Sequence, residues 1–353
     1  MASVSETFAA PSGWTDSLRV LCGDVRETLK TLPDGCVNCC VTSPPYWGLR
    51  DYGHAGQIGL ERTPADYVET MVQVFREVRR VLKDDGTLWL NLGDTYSAHK
   101  DCKSPRQTMK LGTKHENANL LEKDVSNSRN SRMLKEQGLK NKDLIGIPWM
   151  VAFALRADGW YLRSEITWCK KACMPESMTD RPTSATEKIF LLTKSPRYYY
   201  DADAVKEKTV TFDDSNRDRD GSKLNNTPGR TKSGGLKTNQ YETRNMRNFW
   251  LLGPEPCRDA HFAVYPSPIA RRAILAGCPH DGVVLDPFGG SGTTGMVALE
   301  LGRRAVLCEL NPEYVKLINK RTNVTQGFAL PSNAKLTCGE RSEPLGAAHG
   351  STS

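Results

Sequence analysis

Short apolar runs alternate with helix-spaced apolar positions along most of this chain, and two long polar tracts interrupt the rhythm. Leu18–Asp24 reads as a short strand closing in a Gly-Asp turn, and Val25–Leu32 carries helical spacing up to the turn Pro33-Asp34-Gly35. Val37–Val41 is an unbroken run of mostly apolar or thiol residues, the pattern of a parallel strand buried on both faces. Within Tyr67–Leu82, the positions Val68, Met71, Val72, Phe75, Val78 and Leu82 share one face of an amphipathic helix. Asp84-Asp85-Gly86 ends that helix, and Thr87–Leu92 is the next strand. This helix–turn–strand alternation predicts a doubly wound α/β sheet.

The periodicity lapses between His99 and Lys142, a polar stretch rich in Lys, Arg, Asn and Ser. It resumes with a helix over Pro148–Ala157 and strands over Tyr161–Trp168 and Lys188–Leu192. Ser195–Tyr200 follows, its three tyrosines suited either to stacking on bases or to an aromatic strand against the sheet. A second polar, basic tract covers Asp203–Arg247. Beyond it the pattern predicts helix Ala270–Ala276, strand Val283–Leu285, helix Thr293–Leu301, strand Ala305–Cys308 and helix Pro312–Lys320. Residues 323–353 are polar and Gly/Ser-rich, as expected of a disordered tail.

The 353 residues suffice for one large α/β domain with insertions. A formal charge of +7 suits a polyanionic partner, and its lysines and arginines gather in the two polar tracts. No basic segment followed by an apolar core opens the chain. Its longest apolar run, Ile145–Leu155, is too short for a bilayer and contains Pro148, so no membrane association and a cytoplasmic location are expected. Eleven cysteines without a regular framework read as reduced thiols. Cys36 and Cys39 have zinc-like spacing but fall in the buried run with no second pair, so no metal site is expected.

Candidate chemistry gathers at two strand ends. Thr42-Ser43-Pro44-Pro45-Tyr46 follows Val37–Val41, and Asp286–Thr294 follows Val283–Leu285. Open α/β sheets bind ligands across such carboxyl edges. In the second tract, glycines allow close backbone approach and a helix N-terminus offers free N–H groups. Glu309 ends the following strand, where an acidic residue can accept both hydroxyls of a ribose. No lysine of a phosphate-gripping loop is present, so the pattern suits an adenosyl ligand. In the first tract, Ser43 Oγ and the Pro44 carbonyl are placed to accept the two N–H bonds of an exocyclic amine. Successive prolines stiffen the backbone and bring no competing donor. Tyr46 and Trp47 are the residues expected to stack on the base.

Together these motifs resemble the beta group of amino-methylating DNA methyltransferases, of the Ser-Pro-Pro-Tyr type, in which the amino-group motif precedes the cofactor motif. The resemblance extends from Leu18 to Arg321. It implies a Rossmann-like, S-adenosylmethionine-dependent methyltransferase sheet with permuted motif order and a small target-recognition insertion. The catalytic domain would comprise 18–202 and 248–322, with a basic insertion at 99–142 and target recognition at 203–247. Ser43, Pro44, Pro45 and Tyr46 would form the catalytic motif. Asp24 would meet the cofactor adenine and His261, in His261–Pro266, the methionine part. Asp286, Phe288, Gly290, Ser291, Gly292, Thr293, Glu309 and Asn311 complete the implied cofactor site. Trp160–Trp168, Met174–Ser177 and Lys188–Asp201 resemble base-pocket segments. Thr186 and Lys171-Ala172-Cys173 depart from the family pattern at that pocket's rim.

The implied activity is methyl transfer from S-adenosylmethionine to the N4 amine of a cytosine flipped from double-stranded DNA. N6-adenine methylation by the same site is the alternative, and a catalytically idle DNA-binding protein a more distant one. The implied partners are duplex DNA and a cognate restriction endonuclease, with the enzyme a monomer or homodimer and no metal required. Pro256-Cys257 suggests a C5-cytosine nucleophile, but no buried strand precedes it and no Glu-Asn-Val motif accompanies it.

Overall fold

A computed structural model describes residues 17–49, 53–54, 56–97, 138–173, 175–209, 242–253 and 265–322. His261, Pro256-Cys257, the tail at 323–353, and most of the tracts at 99–142 and 203–247 lie outside these residues. The main sheet has eight strands: β1 (Leu18–Cys22), β2 (Val37–Thr42), β3 (Leu82–Leu92), β4 (Tyr161–Lys170), β5 (Thr186–Thr193), β8 (Phe249–Leu252), β9 (Val283–Asp286) and β10 (Arg304–Glu309). They lie in the order β1-β10-β9-β2-β3-β5-β4-β8. The first five in that order are mutually parallel; β5 runs antiparallel to both β3 and β4, and β8 joins β4 in parallel. A separate pair, β6 (Glu207–Lys208) and β7 (Thr243–Arg244), closes the ends of the second basic tract.

Helices cover both faces, which is why the central strands are apolar throughout instead of alternating with polar residues. Helices α1 (Val25–Thr28), α2 (Pro64–Val81) and α3 (Ile147–Ala157) lie on one face. There Met71, Phe75, Val78, Val151 and Leu155 meet Leu88, Leu90, Leu285 and Val306. On the other face are α4 (Ser267–Gly277), α5 (Thr293–Glu300) and α6 (Pro312–Thr322), whose Ile269, Ile274, Val297 and Ile318 meet Val41, Trp89, Val284 and Leu307. Neighbouring residues such as Val284 and Leu285 thus belong to different cores, the period-2 consequence of a pleated strand.

Most expected elements are present, with shifted ends. Helix α2 starts at Pro64 because Thr63 caps it, accepting the Asp66 N–H at 3.1 Å, with proline at the first helical position. Asp84-Asp85-Gly86 is not a separate turn. β3 begins directly at Leu82, and the register against β2 slips between Val37 and Cys39, with Leu82 opposite Val37 and Thr87 opposite Cys39. Asn38 sits in that irregularity, and its side-chain oxygen accepts the Val283 N–H at 3.0 Å. The segment expected as one helix over Val25–Leu32 divides into α1 and a 3₁₀ turn at Leu29–Thr31.

Tyr198–Tyr200 is not a strand. The Tyr199 N–H bonds the Asp85 carbonyl at 2.8 Å, and Tyr200 stacks 6.5 Å from Trp89. Tyr198 and Tyr200 line a small cavity beside Trp89, away from the carboxyl edge. β8 had no counterpart in the sequence pattern; four residues following a polar tract are too few for periodicity to register.

Candidate active site

The chain leaves β9 through α5 toward β10 and leaves β2 through α2 toward β3, in opposite directions. That reversal opens a crevice between the carboxyl ends of β9 and β2, where open sheets bind ligands. A bond closes its floor: Thr42 Oγ1, ending β2, donates to Asp286 Oδ1, ending β9, at 2.7 Å. Above it lies a cavity of about 730 Å³ lined by Ser43–Tyr46 on one side and by Phe288–Ser291, Glu309 and Asn311 on the other. Both motifs singled out from the sequence therefore wall one space, of the size typical for small-molecule sites.

On the β2 side, the turn after Thr42 sends successive side chains in different directions. Ser43, Pro44, Pro45 and Tyr46 face the cavity. Trp47 does not: it is 8% exposed, belongs to the core, and donates its indole N–H to the Glu61 carbonyl at 2.9 Å. The loop is pinned by Tyr67 Oη, which donates to the Pro45 carbonyl at 2.9 Å, and by the Gly48 N–H on the Gly59 carbonyl at 2.8 Å.

The Tyr46 ring packs against Gly93, where a Cβ would meet it at 2.5 Å. Its hydroxyl donates to Glu187 Oε2 at 2.6 Å and accepts from Ser43 Oγ at 3.2 Å. Asn91 Nδ2 bonds the same group, 2.8 Å from Tyr46 Oη, 3.0 Å from Glu187 Oε2 and 3.3 Å from Ser43 Oγ. Burial pushes the Tyr46 phenol far above its ordinary pKa, and the Glu187 charge adds to this, so Tyr46 stays protonated and acts as a donor. Lys170 completes the chain, its Nζ 2.6 Å from Glu187 Oε1.

Asn91, Glu187 and Lys170 were not among the residues picked out as site candidates. Asn91 had a signal, as the polar break in the apolar run Leu88-Trp89-Leu90-Asn91-Leu92. Buried polar residues in strands need partners, and here the partners are the site.

On the β9 side, Asp286 is 1% exposed and does not line the cavity. Besides Thr42 it accepts Thr294 Oγ1 at 2.5 Å and the Phe288 N–H at 3.0 Å. Burial raises its pKa and these three bonds oppose the rise. Gly292 is also absent from the cavity wall. It begins α5 at φ +81°, and a Cβ there would press on Ile318.

Gly290, Ser291, Thr293, Glu309 and Asn311 do line the cavity. Glu309 accepts the Gly290 N–H at 2.7 Å and the Asn311 N–H at 2.8 Å. Burial pushes its carboxyl up to about 7 against those bonds. Arg321 of α6 holds the loop from behind, its Nη1 2.6 Å from the Ser291 carbonyl and 2.7 Å from Ser291 Oγ.

Asp24 lines the cavity at the end of β1, where it caps α1 through the Arg26 N–H at 2.8 Å and pairs with the Arg26 guanidinium at 2.5 Å. Burial alone would raise its pKa; the Arg26 bonds outweigh that and hold it below the usual carboxylate range. Cys36 and Cys39 pack into cores on opposite faces of the sheet, so they do not converge on one ion. Burial raises both thiols, to about 11 and about 12.

The family model described as DNA methylase, covering N6 and N4 enzymes, matches residues 37–320. The Type II methyltransferase M.SmaI of Serratia marcescens is 44% identical over 311 residues, covering 86% of this chain and 90% of its own. M.Cfr9I of Citrobacter freundii, also a Type II methyltransferase, is 44% identical over 300 residues, covering 85% of each. Among solved structures, the cytosine-N4-specific PvuII DNA methyltransferase shares the fold with TM-score 0.57 and 17% identity, over 90% of both chains. No described helix is long and apolar enough to cross a membrane. With a Rossmann-like sheet whose Ser43–Tyr46 tract faces a Gly-rich loop across one cavity, and with these relatives, the chain belongs to the N6/N4 DNA methylase family.

Proposed function

We propose that this chain transfers a methyl group from S-adenosylmethionine to the N4 amine of cytosine in double-stranded DNA. The observation that carries the reading is the shared cavity, with Ser43 and Pro44 on one wall and Gly290 and Glu309 on the other. A serine at the head of the Pro-Pro-Tyr motif, by resemblance to the family, favours cytosine over adenine.

The cavity suits the cofactor. A side chain at Gly290 would meet little but the open space, so the glycine leaves a cradle in the wall. Glu309 retains acceptor capacity beyond its bonds from backbone N–H groups, because a carboxylate offers roughly four lone-pair positions. Glu309 would hold the ribose hydroxyls, Asp24 the adenine side, and Phe288–Thr293 the rest. Bound there, S-adenosylmethionine supplies an electrophilic methyl group.

The amine of cytosine is a weak nucleophile because its lone pair is delocalised into the ring. Ser43 donates its O–H to Tyr46 and accepts from Asn91, which leaves one lone pair of Oγ to accept one N–H of the amine. The Pro44 carbonyl accepts the other. Two fixed acceptors turn the nitrogen lone pair out of conjugation and toward the cofactor side of the cavity, catalysis by positioning and electrostatics. The base must leave the duplex to reach Ser43. The tract at 203–247, whose ends β6 and β7 clasp, is the proposed reader of sequence.

Nucleoside mass spectrometry of unmodified duplex DNA incubated with the protein and S-adenosylmethionine tests the reading. N4-methylcytosine is the expected product. N6-methyladenine would keep the site and reverse the base, and no product despite cofactor binding would reject the activity.

The Glu309 carboxyl gives a pH-dependent expectation. Ribose hydroxyls donate better to the ionised form, so binding favours deprotonation. Affinity for S-adenosylmethionine should climb as pH rises through about 7 and level off above it. Well below that point the slope approaches about tenfold per pH unit. Calorimetry across pH 5–9, with Glu309→Gln as the control lacking this slope, checks it; equal slopes would remove Glu309 from ribose binding.

A further inference from the structure

Arg321, in the last turn of α6, does not line the cavity, but every side-chain bond it makes among the described residues reaches the Gly-rich loop or α5. Its Nη1 lies 2.6 Å from the Ser291 carbonyl, 2.7 Å from Ser291 Oγ and 3.4 Å from Thr293 Oγ1, and its Nη2 lies 3.9 Å from Met296 Sδ. None of these partners carries a charge to offset its own. Ser291 and Thr293 are 5% and 4% exposed, and both line the cavity. A guanidinium donates and never accepts. Ser291 Oγ therefore accepts from Arg321 and keeps its O–H to donate elsewhere. α5 starts at Gly292 with no side chain capping its first N–H groups, so the same wall presents further donors. A cation at a helix N-terminus opposes the helix dipole, and an anion in front of both would satisfy them together.

We propose that Arg321 is a positioning residue for the carboxylate of S-adenosylmethionine, acting through Ser291; the inference rests on the cofactor site assigned above. The carboxylate is the only anionic group of that molecule, whose sulfonium and ammonium are cations. Its adenine and ribose are neutral and gain little from a guanidinium behind the wall. Glu309, assigned to the ribose, holds the loop at the Gly290 N–H, and Ser291 and Thr293 follow toward α5. The cofactor thus meets a carboxylate at its ribose and a donor set backed by positive charge at its amino-acid end. Arg321 fixes Ser291 by both its carbonyl and its hydroxyl, so the orientation of that donor is set before the cofactor arrives.

Calorimetry with S-adenosylmethionine and with its decarboxylated analogue, which lacks only that group, tests the assignment. Wild type should prefer S-adenosylmethionine by about 10–100-fold, the range of a charge-assisted hydrogen bond. Arg321→Met should lose about tenfold in affinity for S-adenosylmethionine and stay within about twofold of wild type for the analogue. Arg321→Lys, which keeps a charged donor, should keep most of the preference. In methyl transfer, Arg321→Met should raise KM for S-adenosylmethionine at nearly unchanged kcat, the sign of lost uniform binding. Equal losses for both ligands would make Arg321 a structural prop and overturn the proposal, as would a wild type indifferent to the carboxylate. Should Arg321→Met fail to fold, Ser291→Ala takes its place: the same selective loss is expected, and equal losses overturn the route through Ser291. A wild-type chain that binds neither ligand would instead overturn the cofactor site itself, before any variant is compared.

Discussion

Ser43→Ala should lower methyl transfer by about 10²–10³-fold, the range seen when one preorganised electrostatic partner is removed. The alanine deletes the acceptor for one amine N–H and the proton donated to Tyr46 at 3.2 Å. Tyr46 keeps Glu187 and Asn91, so the wall stands while the reacting atom loses its guide. Affinity for S-adenosylmethionine should stay within about twofold, because the proposed cofactor contacts lie on the opposite wall. Single-turnover transfer of a labelled methyl group, paired with calorimetry, reads both quantities. Turnover near the wild-type rate would show that Ser43 is not the acceptor.

Asp286→Ala should fail in a different way. The carboxylate does not reach the cavity, so its loss acts through the frame. Thr42 Oγ1, Thr294 Oγ1 and the Phe288 N–H all lose a buried acceptor. Each buried unsatisfied group costs about 1–3 kcal/mol. Thr294 has a second acceptor in the Val41 carbonyl at 3.3 Å, which offsets part of the loss. A net destabilisation of about 2–4 kcal/mol is therefore expected. Weaker binding of S-adenosylmethionine should accompany it, since the Phe288 N–H anchors the start of the loop. Denaturant unfolding monitored beside calorimetry separates the two effects. Reduced affinity at unchanged stability would mean that Asp286 touches the cofactor directly.

The contrast between these variants shows what could be read from residue order. Val37–Val41 and Val283–Leu285 were legible as buried strands because helices on both faces demand unbroken apolar runs. The residues following them were legible as site-bearing because a parallel sheet gathers its strand ends at one edge. Side-chain direction past those ends was not legible. Tyr46 and Trp47 are adjacent aromatics after a proline turn; one enters the cavity and the other the core, a choice made by Gly93 and the Glu61 carbonyl. Asp286 looked like a cofactor ligand, but its oxygens are taken by hydroxyls from β2 and α5. Glu187 and Lys170 come from the two antiparallel strands beyond β3, whose place in the sheet no local pattern announces.

The bond between Thr42 and Asp286 joins residues 244 positions apart. During synthesis, at about 5–20 residues per second, the first wall of the cavity leaves the ribosome long before the second exists. Until β9 arrives, β2 has β3 on one side and an unpaired edge on the other, a surface prone to wrong partners. Closing that edge late, over such a long loop, makes assembly of the site a slow, non-local step of folding. The same delay means that no fragment lacking β9 and β10 can hold cofactor and base together, so methylation begins only after both strands are made.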